Sequence, residues 1–239
     1  MTQTSQKVSL PEGVSLQRVA QVLLDAWEAG SHQWSDTPLQ LREGHSGPPP
    51  PPPVLRDALD LFRVLHQQQL QYLLVGGIAL LTYVEGRNTK DVGLLMSLEA
   101  MQRVPDLQIE NRQDCFVRAR FRSVQVDLLL TSNPLFKLVA ERFATHHRFA
   151  ELEVPAVTVE GLLVLKLYAL PSLYRQFDWD RVYVYESDIK QLIARYHPNL
   201  PALFAILEPH MSSSDLRELT ALISQAEERR ERFNKPEPE

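Results

Sequence analysis

Two aspartates and a pair of glycines, set around short apolar segments, are the residues here best placed to do chemistry. Tyr72 to Val75 reads as a strand, Gly76 and Gly77 follow it directly, and a short helix is expected next. Asp91 opens a second strand, whose odd-numbered positions share one face. Asp127 lies inside the β-rich run VQVDLLL, where an ionised carboxylate is costly without a partner or a metal. A glycine turn between strand and helix lets backbone N–H groups and the helix dipole face an anion. Carboxylates on neighbouring strands suit Mg²⁺, which demands near-octahedral oxygen coordination. Together these features point to metal-assisted phosphoryl or nucleotidyl transfer. The simpler readings are a solvent-facing Asp127 and an ordinary tight turn at Gly76-Gly77, since no Lys-Ser/Thr follows to make a P-loop. Lys166, in the apolar run LLVLKLYAL, either snorkels to the surface, the simpler reading, or reaches into a cleft toward a phosphate.

The elements that must position these residues follow from periodicity and breakers. Apolar residues at helical spacing predict an amphipathic helix over 15–29, followed by six prolines, Pro48 to Pro53. That run is a semi-rigid spacer or a ligand for a proline-binding module, the spacer being the simpler reading. A second amphipathic helix is expected over 54–70, and a short one over 98–104. Strands are expected at 107–110, 115–121 and 123–130, the last two as a hairpin or adjacent antiparallel pair. Pro134 starts a helix to about His146, and 148–157 is extended. Thr158 caps a helix that stops at Pro171, and further helices are expected over 180–196 and 201–207. Asp215-x-x-Glu218 resembles a capping box opening the last helix. The expected fold class is α/β (α+β): a small mixed β-sheet with flanking helices, then a helical C-terminal portion. The expected division is a helix and linker over 1–53, an α/β core over 54–157 and helices over 158–239.

Composition bounds the function. The 239 residues suffice for one sizeable domain, or one plus a small appendage, and a hydrophobic share of 44% supports a buried core. A net charge of −5 argues against a general nucleic-acid coat, so any RNA contact needs a local basic patch. The lone Cys115 excludes an internal disulfide framework and a Cys-rich zinc site. No apolar run reaches the ~18 residues of a membrane span, so a soluble, cytoplasmic protein with no membrane partner is expected. Arg112, Arg118, Arg120 and Arg122 form either a strip for an RNA backbone or a solvated strand face, the second being simpler. Lys137, Arg142, His146, His147 and Arg148 extend that basic character, and the His-His pair alone is a weak metal site. Asp178 and Asp180 flank Trp179 in a region that reads as a helix cap.

Taken in order, Gly76-Gly77, Arg87-x-Thr89-x-Asp91, Asp127, Lys166-x-x-Ala169 and Arg175 followed by Asp188 resemble the nucleotidyltransferase superfamily. The nearest likeness is to the abortive-infection (AbiEii-type) nucleotidyltransferase toxins of toxin–antitoxin pairs and their relatives of unassigned role. It covers roughly residues 60–195. The resemblance implies transfer of a nucleoside monophosphate from an NTP, with Mg²⁺, to an RNA 3′ end such as tRNA or to a protein hydroxyl. An antitoxin partner is implied as well, and so is a helical C-terminal portion that closes the cleft. It further implies that Gly76 and Gly77 approach the triphosphate, with Arg87, Thr89 and Asp188 in the nucleotide site. Asp91 and Asp127 would bind metal, Asp127 near the attacking hydroxyl, and Lys166 would steady the phosphates.

Gly93 stands where that family's second aspartate belongs. Glycine supplies no ligand atom, and losing one preorganised transition-state group typically costs ~10²–10³ in rate. Glycine also weakens a strand interior, so packing is not an obvious reason for it. A natural pseudoenzyme, a changed codon and rescue by another carboxylate such as Glu85 all remain open. The alternative function is a non-catalytic nucleotide- or RNA-binding regulatory module, its N-terminal segment recruiting a partner.

Overall fold

Alternating and β-branched segments pair here into one mixed sheet, seen in a computed structural model that describes residues 53–84, 89, 91–149 and 152–234. Its strands are β1 (Tyr72–Val75), β2 (Asp91–Met96), β3 (Leu107–Gln113), β4 (Phe116–Phe121), β5 (Val124–Leu130), β6 (Ala144–Phe149) and β7 (Leu152–Val157). Their spatial order is β3-β4-β5-β2-β1-β7-β6. β2 runs parallel to β5 and β1 parallel to β7, while the other neighbours are antiparallel. The flanking helices are α1 (Pro53–Gln67), α2 (Gly76–Leu81), α3 (Leu98–Gln102), α4 (Pro134–Arg142), α5 (Val159–Arg175), α6 (Trp179–Tyr196), α7 (Leu200–Leu207) and α8 (Ser213–Asn234). The mixed sheet with flanking helices, and the helical run that follows, are as the sequence predicts. The helix expected over 15–29, prolines 48–52, Glu85 and Arg87 lie outside the described residues.

The side chains of β5 divide by parity, which decides where a site can lie. Val124, Val126, Leu128 and Leu130 are buried, whereas Gln125, Asp127 and Leu129 are only half-buried on the opposite face. α1 covers the buried side with Leu61 and Leu65. It is pinned there by Asp57, which accepts from Ser123 Oγ at 2.5 Å, and by Asp60, which accepts from Arg122 at 2.7 Å. The opposite face carries Asp91, Gln125 and Asp127 toward one end and the apolar Leu95 and Leu129 toward the other.

Several boundaries differ from the sequence reading, each for a tertiary reason. The helix from Pro134 ends at Arg142 because the next residues pair: β6 and β7 form an antiparallel hairpin from Ala144↔Val157 to Phe149↔Leu152. α5 does not stop at Pro171 but continues to Arg175. The proline forfeits a hydrogen bond, a cost of ~3 kcal/mol, and burial of Leu170 and Leu173 on either side opposes it. Ser212, not the Asp215 box, caps α8: its hydroxyl accepts from the Asp215 N–H at 3.1 Å, and the Asp215 carboxylate receives Arg175 at 2.9 Å. Among the described residues, no helix is long and apolar enough to cross a membrane.

Candidate functional site

The site is built where β1 ends beside β2. Val75, the last residue of β1, pairs with Gly93. Gly76 then adopts φ +71°, a left-handed conformation that favours glycine, and carries the chain out of the sheet into α2. This turn passes close over β2: a Cβ on Gly76 would meet the Gly93 Cα at 3.6 Å. A Cβ on Gly93 would lie 2.8 Å from the Val75 carbonyl oxygen and 3.1 Å from its carbon. Backbone cannot swing aside as a long side chain can. Packing against the Val75 carbonyl therefore favours glycine at 93, a reason that was not obvious from the sequence.

Pairing across the sheet sets two rows of side chains on the open face. One row is Arg118, Asp127 and Gly93, and the other is Arg120, Gln125 and Asp91. Asp91 and Asp127 are thus diagonal neighbours on adjacent strands. Asp91 Oδ1 accepts from the Thr89 hydroxyl at 2.9 Å. Asp127 Oδ1 accepts from Arg118 Nε at 3.2 Å and from Gln125 Nε2 at 3.4 Å. The Asp127 side chain is 15% exposed and that of Arg118 32%, so the pair is partly withdrawn from water. Arg120 pairs with Glu110 at 2.7 Å and Arg122 with Asp60, both on the exposed surface, so the cluster is in large part the solvated strand face of the simpler reading, with Arg118 the most withdrawn of the three paired arginines.

A pair of divalent metals would need carboxylates converging from several positions. Among the described residues, Asp91 and Asp127 are the carboxylates that the sheet sets side by side here, Asp127 already receives a guanidinium, and a side chain at 93 would run into the Val75 carbonyl. Among the described residues, no group of three His, Cys, Asp or Glu side chains is placed to hold a metal. The described residues do not by themselves fit a two-metal centre.

Lys166 neither snorkels nor lies open to a cleft. Its side chain is 5% exposed, its Nζ is 2.7 Å from Asp188 Oδ2 on α6, and it sits 4.1 Å from the centre of the Tyr185 ring. The ion pair and the ring contact join α5 to α6. Asp188 is likewise buried, at 2%. Arg175 pairs with Asp215 and Asp178 caps α6, as expected of the residues around Trp179. A cleft of about 780 Å³ lies between α5, α6 and α8, lined by Tyr174, Glu186, Lys190 and Asp215 among others, and its lining includes neither Asp91 nor Asp127.

His147 also has a defined place. The Tyr83 hydroxyl donates to the Val157 carbonyl at 3.0 Å and meets His147 Nε2 at 3.0 Å. With the hydroxyl hydrogen given to Val157, His147 Nε2–H is the donor in that contact. Burial, and then the neighbouring His146, hold the His147 imidazolium below its ordinary range. The unfolded chain then takes up this proton before the folded one does, so stability is full above the unfolded value of about 6.5 and falls as pH drops through it. The midpoint of thermal unfolding is expected to decline between about pH 7 and pH 5, with a shallower slope in His147→Phe. Equal slopes for the two chains would remove His147 from this role.

The sequence missed the partners of Asp127. Arg118 was legible only as part of a basic cluster, and Gln125 carried no signal. The clue was available: the Arg122-Ser123 turn between Phe121 and Val124 fixes the hairpin register, and counting back sets Arg118 beside Asp127.

No protein-family model matches the chain, and no curated protein matches it. Among solved structures it is similar to an antigenic nucleotidyltransferase-like protein from Paracoccidioides brasiliensis, at 16% identity and a TM-score of 0.45, over 72% of this chain and 86% of that one. It is also similar to the antibiotic-resistance factor ANT(2'')-Ia in solution, at 11% identity and a TM-score of 0.46, over 75% of this chain and 95% of that one. A crystal structure of ANT(2'')-Ia in complex with adenylyl-2''-tobramycin gives 11% identity and a TM-score of 0.46, over 72% and 98%.

Proposed function

We propose that this chain is a nucleotidyltransferase-like protein that receives an NTP on the face carrying Asp91 and Asp127, and that nucleotidyl transfer is impaired in it. The observation that carries the proposal is the parallel pairing of β2 with β5. It sets Asp127 opposite Gly93 and diagonal to Asp91, next to the Gly76 turn, as the ordered motif requires. Gly76 and Gly77 would offer backbone amides to the phosphates, with Arg87, Thr89 and Asp188 in the nucleotide site. Lys166 would steady the phosphates only after leaving Asp188. The acceptor would be an RNA or protein hydroxyl. A tRNA acceptor, a toxin–antitoxin setting with an antitoxin partner, and a C-terminal portion closing the cleft belong to the proposal through the motif resemblance alone. The same resemblance implies Mg²⁺ held by Asp91 and Asp127, but the described side chains do not fit the metal pair.

The second reading, a non-catalytic nucleotide- or RNA-binding regulatory module, is favoured by the Arg118–Asp127 pair, which neutralises the carboxylate a transferase would keep available. The test is incubation of the full chain with Mg²⁺, each labelled NTP and total tRNA, following both bound nucleotide and label joined covalently to RNA or protein. Saturable NTP binding without covalent label is the expected result. Transfer that vanishes in Asp127→Asn would show an unimpaired enzyme, and absence of NTP binding would remove the nucleotide reading altogether.

A further inference from the structure

We infer that Arg118 is the resident cation of this site and stands in place of a divalent metal. The inference rests on the reading of the Asp91–Asp127 face as a nucleotidyltransferase-like site. Two carboxylates are held diagonally on adjacent strands, one of them 15% exposed, and a charge of opposite sign stands beside them. Arg118 supplies it from the neighbouring strand, directly across from Asp127, with Nε 3.2 Å from Oδ1. Gln125 satisfies the same oxygen at 3.4 Å. The third ligand position is closed by the Val75 carbonyl, 2.8 Å from where a Cβ at 93 would sit.

One guanidinium suits two carboxylates as a metal pair would suit three or more. Arginine is always charged, so it cannot yield to an incoming cation by losing its proton. A divalent ion approaching Asp127 must displace Arg118 against like-charge repulsion. The hydrogen bond to Asp127 pushes the guanidinium further into its charged form, opposed by burial and reinforced by the charges of Asp127, Asp91 and Glu110. The site is therefore a masked cation site, and removing Arg118 exposes it.

The experiment is titration of the full chain with Mn²⁺ alone, by calorimetry, for the unaltered protein and for Arg118→Ala, Arg118→Gln and Arg118→Ala/Asp127→Asn. The unaltered chain is expected to show no saturable Mn²⁺ binding. At least one of the single variants, verified as folded by near-ultraviolet circular dichroism, is expected to bind at least tenfold more tightly, and the double variant to lose the gain. A second measurement needs no variant: the Arg118 Hε–Nε resonance of the unaltered chain should stay unmoved as Mg²⁺ is added. Saturable Mn²⁺ binding by the unaltered chain that disappears in Asp127→Asn, or a saturable Mg²⁺-dependent shift of the Arg118 resonance, would overturn the inference. So would no gain in either folded single variant. Because no nucleotide is present, a chain that fails to bind NTP yet gains Mn²⁺ on loss of Arg118 would sink the nucleotide reading and leave this one standing.

Discussion

Gly93→Asp, the change that would complete the Asp-x-Asp pattern, is expected to destabilise the protein and not to create transfer activity. The first carbon of the new side chain would sit 2.8 Å from the Val75 carbonyl oxygen and 3.3 Å from Val75 Cγ2. Overpacking of this kind costs ~1–3 kcal/mol, and bringing a further carboxylate onto a buried strand position beside Asp127 adds a desolvation cost of about the same size. A loss of about 3 kcal/mol or more is therefore expected in urea denaturation, with about 1–3 kcal/mol for Gly93→Ala, which isolates the steric part. β1 would have to part from β2 at Val75↔Gly93, so the damage falls on the Gly76 turn itself. A Gly93→Asp chain as stable as the original would show that this approach is looser than described, and label transfer by it would show that only the ligand was missing.

Lys166→Met is expected to cost more than any surface charge change. Lys166 and Asp188 are buried together at 2.7 Å, and removing one takes from the other an opposite charge that shares its place away from water. Breaking a buried pair in this way costs ~3–5 kcal/mol, while replacing both partners by apolar residues is often close to neutral. The double variant Lys166→Met/Asp188→Leu should therefore recover most of what either single change loses, and a double-mutant cycle in urea measures the coupling directly. Additive losses, or a near-neutral Lys166→Met, would mean that the pair does not hold α5 to α6. The same pair sets a condition on any phosphate role for Lys166: it must first leave Asp188.

How much of this was legible depended on whether the information was local. The strand at Tyr72–Val75, the glycine turn, the strand opening at Asp91 and the hairpin around Ser123 follow from apolar runs and breakers, and all four occur. The caps at Thr158 and Asp178 were likewise local, and both accept backbone N–H bonds. The helix ends near Pro171 and His146 were not, because burial of Leu173 and the pairing of β6 with β7 override the breaker and the propensity. At the candidate site, Asp91 and Asp127 stood out as carboxylates in apolar strands. The need for glycine at 93 did not, since it arises from the Val75 carbonyl, a backbone group with no sequence signature. Lys166 was ambiguous for a related reason: its partner lies on the next helix, and spacing alone cannot tell a snorkelling lysine from a buried one.

The central claim is that an NTP sits on the face carrying Asp91 and Asp127, beside the Gly76 turn. Its most direct measurement is amide chemical-shift mapping of the full chain during titration with each NTP. Of the nine glycines, Gly76 and Gly77 form the turn and Gly93 lies beside it on β2. Saturable shifts are expected at these three and at Asp91 and Asp127, with no covalent label on the protein afterwards. Shifts confined to the cleft of Tyr174, Glu186 and Lys190, or no shift with any NTP, would contradict it.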